Sequence, residues 1–425
     1  MRKFIYIVFA AAIFATSCEQ EQPVVDNGKL PIHYGYMQFS TDVSTRAQLV
    51  TDMKGKSFGV LGYQYSPTTN WATAKPIALP SVFYNQMVSC GENGTCTYDA
   101  YPSDSDKSLK EWEEGNYSFF AYHPYTDNNN NTGITLSTLT TTNTPTLTYT
   151  YPWLNGTDTD EWFEEDFETM DNKGNIVKLD VVKLCEPSAP IFDVMTAEAI
   201  DVNGRGNGTV SMDFKHRMFA LEVLANNYNE NIYEYETDAD GNFILDEDGN
   251  KTYKLDADGN KIIAEGGSAR QSIDDLVLTL NGLQHSSMTI PMSMQSGEIP
   301  DYDKASPGTR SFVINDKKVI VPAFNERYEG RGEGIATSVS KLGGRDGNAG
   351  YLMLIPQGAG ALSGTLHWNQ LENFPGTIST SFSSNIEFKA GRLYQLYINY
   401  VGSGITIALI EAGAWDVHDV EHKFE

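Results

Sequence analysis

An all-β chain built of β-sandwiches is the fold class this sequence predicts, and three observations predict it. Short aromatic and β-branched segments recur, mostly with apolar and polar residues alternating at the period of a strand. Gly, Asn, Asp and Pro, the turn formers, separate them. Helical periodicity is scarce: the best candidate, 160–170, brings Phe163, Phe167 and Met170 to one face and is short. Strands without intervening helices argue for sandwiches rather than βαβ units.

Taken in order, the strand signals fall at 57–63, 117–122, 146–151, 210–214, 350–355 and 393–398. A composition break follows at 201–208, where Asn203, Gly204, Gly206, Asn207 and Gly208 crowd together. Such a run suits a linker, which gives an N-terminal sandwich over 47–204 and a C-terminal one over 205–425. Asn128 to Asn131 mark an exposed loop in the first half. In the second half, Asp238-Ala-Asp-Gly-Asn242 recurs at Asp246 to Asn250 and at Asp256 to Asn260, with strand-like pieces between. The pattern predicts an inserted β-meander over 233–266 whose Asp-Gly turns supply the positive-φ positions.

The N-terminus carries two cleavage signals. Met-Arg-Lys, an apolar run from Phe4 to Ala15 and then Thr16-Ser17-Cys18 form a lipoprotein-type signal peptide over 1–17. The apolar run is too short to span a bilayer. Cys18 becomes the acylated N-terminus, although Ala15 stands where Leu or Val is usual. Further on, Ser44-Thr45-Arg46-Ala47 offers one tryptic-type bond after a strand-like stretch. Residues 18–46 then read as a propeptide with a removable first strand, and Arg46 and Ala47 as the processing site.

The chain has 56 acidic and 30 basic residues, a formal charge of -26. Such a surface repels phosphate backbones, so no nucleic-acid partner is expected. Besides Cys18 there are three cysteines. Cys90 and Cys96 bracket a turn-forming pentapeptide, and an exported protein meets oxidising conditions. Two readings fit: a hairpin disulfide with Cys185 left as a buried thiol, or three unpaired thiols.

Chemical motifs are weak. The Asp-x-Asp-Gly-Asn repeats place Gly at the fourth position and lack the distant Glu of an EF-hand, so turns account for them better than calcium does. His418-Asp-Val-Glu421-His422 matches an inverted zinc-protease string. Its histidines need a helix, since in a strand their Cα atoms stand about 13 Å apart. The carboxylates Glu161, Glu164, Glu165 and Asp166 read as a solvated face, and the many Tyr and Trp as core. No catalytic site, cofactor or metal is expected.

With these residues in hand, the chain resembles the fimbrillin family, the subunits of type V pili of Gram-negative anaerobes. The likeness rests on the signal ending at Cys18, Thr45-Arg46-Ala47, Phe58-Gly-Val-Leu-Gly-Tyr63 and Phe119-Phe-Ala-Tyr-His-Pro124. It continues through Asp193-Val-Met-Thr-Ala197, Met212-Asp-Phe-Lys-His216, Leu354-Ile-Pro-Gln357 and Phe388-Lys-Ala-Gly-Arg-Leu-Tyr394, and closes with a Gly-Ile-Thr-Ile run and Trp415. The resemblance implies two transthyretin-like β-sandwiches in tandem and export to the cell outer membrane as a lipoprotein. It further implies cleavage after Arg46 by an arginine-specific protease and growth of an extracellular fimbrium, as a homo- or hetero-polymer with other pilus subunits. The vacated groove would take a terminal strand from the next subunit. The donor candidate is 403–425, with Ile405, Ile407 and Leu409 on one side and Trp415 and Val417 beyond; the same stretch also reads as the last strand pair of its own sandwich. The alternative function is a glycan-binding surface lipoprotein that stays attached at Cys18.

Overall fold

In the computed structural model, the described residues are 38–43, 53–74, 79–98, 109–129, 132–138, 145–151, 168–170, 176–178, 192–206, 209–292, 301–302, 308–315, 318–327, 340–342, 351–358, 362–370 and 376–414. They form an almost purely β structure. The chain runs through β1 (Gln38–Val43), β2 (Ser57–Tyr65), a short helix α1 (Trp71–Ala74), β3 (Phe83–Cys90), β4 (Cys96–Thr97) and β5 (Asn116–His123). Next come β6 (Ile134–Leu136), β7 (Thr146–Thr150), β8 (Glu168–Met170), β9 (Ile176–Lys178), β10 (Met195–Asn203), β11 (Thr209–His216) and β12 (Phe219–Asn227). After the insertion follow β13 (Gln271–Leu283), β14 (Ser287–Pro291), β15 (Asp301–Tyr302), β16 (Gly308–Asn315), β17 (Val319–Val321) and β18 (Ser340–Leu342). The last are β19 (Tyr351–Leu354), β20 (Ser363–Gln370), β21 (Gly376–Ser383), β22 (Arg392–Val401) and β23 (Gly404–Ala414). All six strand signals fall on strands: β2, β5, β7, β11, β19 and β22.

The N-terminal part is a closed barrel in the order β1-β11-β10-β5-β2-β3-β4. Its interior is lined by Phe58, Val60, Phe119, Ala121, Val210, Met212 and Phe214. Strand β5 is buried on both faces: Phe120 and Tyr122 point out of the barrel into a second core. Gly59 pairs with Tyr122, and a Cβ there would collide with the Tyr122 ring, so the glycine permits this close approach.

Beyond the barrel, the sheet β18-β12-β22-β23, joined by β19, meets the sheet β16-β13-β20-β21, joined by β17, in that second core. Strand β12 is buried along its whole length and runs parallel to β22. Around it Phe219 packs on Phe388 and Tyr394, with centroids 4.9 and 5.5 Å apart. A further sheet, β15-β14-β7-β6, pairs strands from early and late in the chain.

The structure corrects three expectations. The Gly-Asn run at 201–208 is not a linker between sheets. It joins β10 to β11, which pair within one barrel. Gly204 lies so close to the Glu113 carbonyl that a Cβ would collide, while Asp201 accepts a hydrogen bond from the Trp71 amide at 2.8 Å. The glycine serves tight packing at a corner, a use that composition alone cannot tell from a flexible joint. Nor does the 204/205 boundary separate the sheets: β11 lies beyond it in the barrel, and β7 lies before it yet pairs with β14. The helix expected at 160–170 gives way at its end to strand β8, paired with β9; 160–167 lie outside the described residues. Apolar spacing over so few residues does not tell a helix face from a strand.

The insertion between β12 and β13 carries the expected turns: Gly241, Gly249 and Gly259 have φ of 85°, 85° and 86°. It is not a simple meander. Its first arm pairs in succession with all three later arms, through Thr237 with Phe243, Tyr235 with Tyr253 and Tyr233 with Ile263. Lys251 caps the Phe243 ring at 3.7 Å and Lys261 the Tyr253 ring at 4.1 Å, cation–π contacts that cover part of the aromatic ladder. At its root, Asn231 donates to Glu326 at 2.7 Å and accepts from the Ala269 amide at 2.7 Å, so the arm is anchored by satisfied polar groups.

Candidate functional site

Strand β1 is where the architecture turns on one element. It runs parallel to β11 in register from Gln38 opposite Thr209 to Val43 opposite Phe214. On its other edge it meets β4 at a single position, Phe39 opposite Cys96. These two contacts close the barrel. Each ladder hydrogen bond nets about 0.5–1.5 kcal/mol, so the β11 side supplies most of the backbone hold.

The wall that β1 covers is built by alternation. Along β11, Val210, Met212 and Phe214 are buried, whereas Thr209, Ser211 and Lys215 are exposed. Phe214 meets Phe58 edge-on across the interior, at 5.2 Å between centroids. With β1 gone, β11 would present a row of unpaired amides and carbonyls beside an apolar interior, the surface a foreign strand can complete.

Opposite β11, the wall is slight. Strand β4 pairs with β3 at only two positions, Ser89 with Thr97 and Cys90 with Cys96. A disulfide joins Cys90 and Cys96, whose Cα atoms stand 3.9 Å apart. Cys185 lies outside the described residues.

A buried polar cluster sits where β5, β10 and β11 end together. His216 Nδ1 lies 2.7 Å from Asp193 Oδ2, and both side chains are buried. Nearby, His123 donates from Nδ1 to the Ser57 carbonyl at 2.7 Å. Burial lowers the pKa of His123, against the opposing pull of that carbonyl and of Asp193. The sequence offered these residues only as parts of longer strings; their convergence depends on strand register.

The other predicted site residues divide. Cys18, Arg46, Ala47, Trp415 and Val417 lie outside the described residues, as do His418, Glu421, His422 and Glu161 to Asp166. Arg46 follows the end of β1 by three positions in sequence. Ile405, Ile407 and Leu409 lie on β23, partly buried and packed against the second core. That strand pairs with β22 from Val401 opposite Gly404 to Arg392 opposite Ala414.

In the repeats, each leading Asp is consumed by its own turn. Asp238 Oδ1 accepts from the amides of Asp240 and Asn242, both at 2.9 Å. Asp246 and Asp256 do the same with Asn250 and Asn260, each at 2.8 Å. Hydrogen bonds from the Asn backbone are the main cause holding all three carboxyls below the usual range. Each leading carboxylate is thus engaged by amides of its own turn, which favours the turn reading. Among the described residues, no group of three or more His, Cys, Asp or Glu could hold a metal ion.

No family model matches the chain, and no curated protein matches it. Among solved structures, it is similar to a fimbrial protein from Bacteroides vulgatus, with a TM-score of 0.49, 16% identity, and 88% of this chain and 99% of that one covered. It is also similar to a proposed cell adhesion protein from Bacteroides ovatus, with a TM-score of 0.45, 12% identity and coverage of 91% and 100%. A proposed cell adhesion protein from Bacteroides uniformis gives 0.41, 11%, 89% and 99%. At these scores the overlap does not define this chain's fold, which rests on its own strand pairing.

Proposed function

We propose that this chain is a non-enzymatic structural subunit, stalk or tip, of a type V-like pilus that serves cell adhesion. It is exported as a lipoprotein through Cys18, held at the outer membrane, cut after Arg46 by an arginine-specific protease and polymerised with other pilus subunits by donor-strand addition. The observation that carries this reading is the placement of β1. The strand that ends three positions before Arg46, Gln38–Val43, is a wall of the barrel, paired along β11.

Cleavage at Arg46 would leave β1 held only by non-covalent contacts. Its departure exposes the β11 edge and the interior around Val210, Met212 and Phe214, and a strand from a neighbour restores both. A head-to-tail contact of this kind does not close on itself, and so it propagates as a filament. The ordered strings that resemble fimbrillins support the same reading independently of the fold.

Replacing Arg46 by Ala should leave β1 in its place and the monomer folded while polymer disappears, seen as loss of the high-mass ladder on gels of unboiled material. Long polymers from the Arg46→Ala protein would overturn the proposal. N-terminal sequencing of cell-surface protein gives a second check. Ala47 is expected, whereas acylated Cys18 on all mature material would favour the surface-lipoprotein alternative.

A further inference from the structure

We infer that the Cys90–Cys96 disulfide is a positioning element of the strand-receiving seam: it fixes β4 as the second wall, so that an incoming strand is gripped on both edges. The inference rests on the strand-replacement reading above and goes beyond it by assigning the seam's far side to one covalent bond.

Strand β4 has only a short ladder of its own. The strand is two residues long, and its ladder to β3 has two positions. Pairings this short are marginal in water unless something else fixes them. The residue that meets β1 is Cys96, and it is also the one tied to Cys90. Cys90 is buried in the barrel core beside Val88 and Phe83, while Cys96 is half-buried at the seam. The bond therefore transmits the position of the core to the edge.

Local geometry supports the same assignment. The intervening turn is already closed by Gly91 and Thr95, the Gly91 amide donating to the Thr95 carbonyl at 2.9 Å, and Gly94 takes φ of 82°. That turn sets the hairpin's direction. Downstream, Tyr98 packs edge-on against Phe83 at 5.1 Å. One end of β4 is thus held by a ring contact and the other by the disulfide. Without the bond, the Cys96 end can move away, and a strand beside β11 would keep only one partner. The bond also lowers the entropy cost of keeping the seam ready before a strand arrives. Reduction by a dithiol breaks the S–S bond and leaves two thiols, the reagent supplying two electrons and two protons and closing to its own disulfide.

The test uses the full chain after the signal peptide, cut after Arg46, and a fluorescent peptide of residues 35–46 that competes for the vacated position. Wild-type protein should take up the labelled peptide in exchange for its own β1. Cys96→Ala, which keeps the buried Cys90 thiol in the core, and wild-type protein reduced with dithiothreitol should both bind it at least 10-fold more weakly. In each case the barrel's melting transition, followed through the buried Trp112, should be retained. Equal binding by oxidised and reduced protein overturns the inference. Loss of the melting transition in both preparations also overturns it, since the bond would then hold the whole barrel and not the seam. No uptake by oxidised wild-type protein would instead sink the strand-replacement reading itself.

Discussion

The first and last strands among the described residues, β1 and β23, are held in opposite ways. Strand β1 lies parallel to a partner far along the chain, gripped along one edge and touched at one point on the other. Strand β23 folds back antiparallel on β22 through a tight turn in which Gly402 has φ of 58°. It also lays Ile405, Ile407, Leu409 and Ala412 on the second core. A parallel pair has no local hairpin to hold it, so once its covalent link is cut no turn ties β1 to β11. Strand β23 has both a local turn and apolar burial. The contrast teaches that how a terminal strand is held depends less on its own sequence than on whether its neighbours are local.

The sharpest way to break this comparison is to delete each strand. Truncation after Gly402 removes β23 and bares the edge of β22 together with the core surface under Ile405, Ile407 and Leu409. The largest effect is expected from this truncation: protein that is insoluble or lacks cooperative unfolding by circular dichroism. Protein cut after Arg46 and stripped of β1 should stay soluble and keep the second core's transition. A truncated chain that folds well but joins no polymer would reverse the contrast, marking β23 as a detachable donor. For β23 to donate in the form described, it must first peel away from β22.

Much of this was legible in the sequence, but unevenly. Alternation and β-rich composition located six strands, each buried on at least one face, and the burial pattern of β11 follows the alternation residue by residue. The turns at Gly241, Gly249 and Gly259 were legible because Asp-Gly is a turn signal whose Gly readily takes a positive φ. What failed was everything set by distant partners. The parallel match of β1 with β11, the pairing of β7 with β14 and the packing of Gly204 against Glu113 leave no local mark. The disulfide was open on sequence, since spacing alone does not say whether two cysteines face each other across a ladder.

A middle-sized effect concerns acid. His123, at the end of β5, is buried, and desolvation lowers its pKa below the ordinary 6.5. The groups facing it are the His216–Asp193 pair from β11 and the start of β10, and Lys56 and the Ser57 carbonyl from the start of β2. In this case the unfolded chain binds the proton more readily than the folded one. The contribution is therefore fully present above the unfolded value of 6.5 and is lost as pH falls through it toward the folded value. The barrel transition should weaken as pH falls below about 6.5. His123→Asn should flatten that dependence. A barrel whose stability is unchanged over this range, measured by urea titration at each pH, would contradict the assignment.

The smallest effect tests whether the inserted arm is held by its own turns. Asp238, Asp246 and Asp256 are solvent-exposed, so their lowered pKa reflects hydrogen bonding and not burial or ion pairing. The Asn backbone amide is the first cause in each, with the Asn side-chain amide assisting. Here the stability is present above the unfolded pKa and is lost as pH falls through the folded one. Carboxyl carbon shifts in an NMR titration should place these three aspartates below the ordinary 3.8. Asn242→Ala keeps the backbone amide but removes the side-chain donor at 3.2 Å, so Asp238 should move only part of the way back. Asp246 and Asp256 should stay put, because each turn closes on its own five residues. Addition of calcium should leave all three titrations unshifted, and a calcium-dependent shift confined to these carboxyls would show that the turns can open to a cation after all.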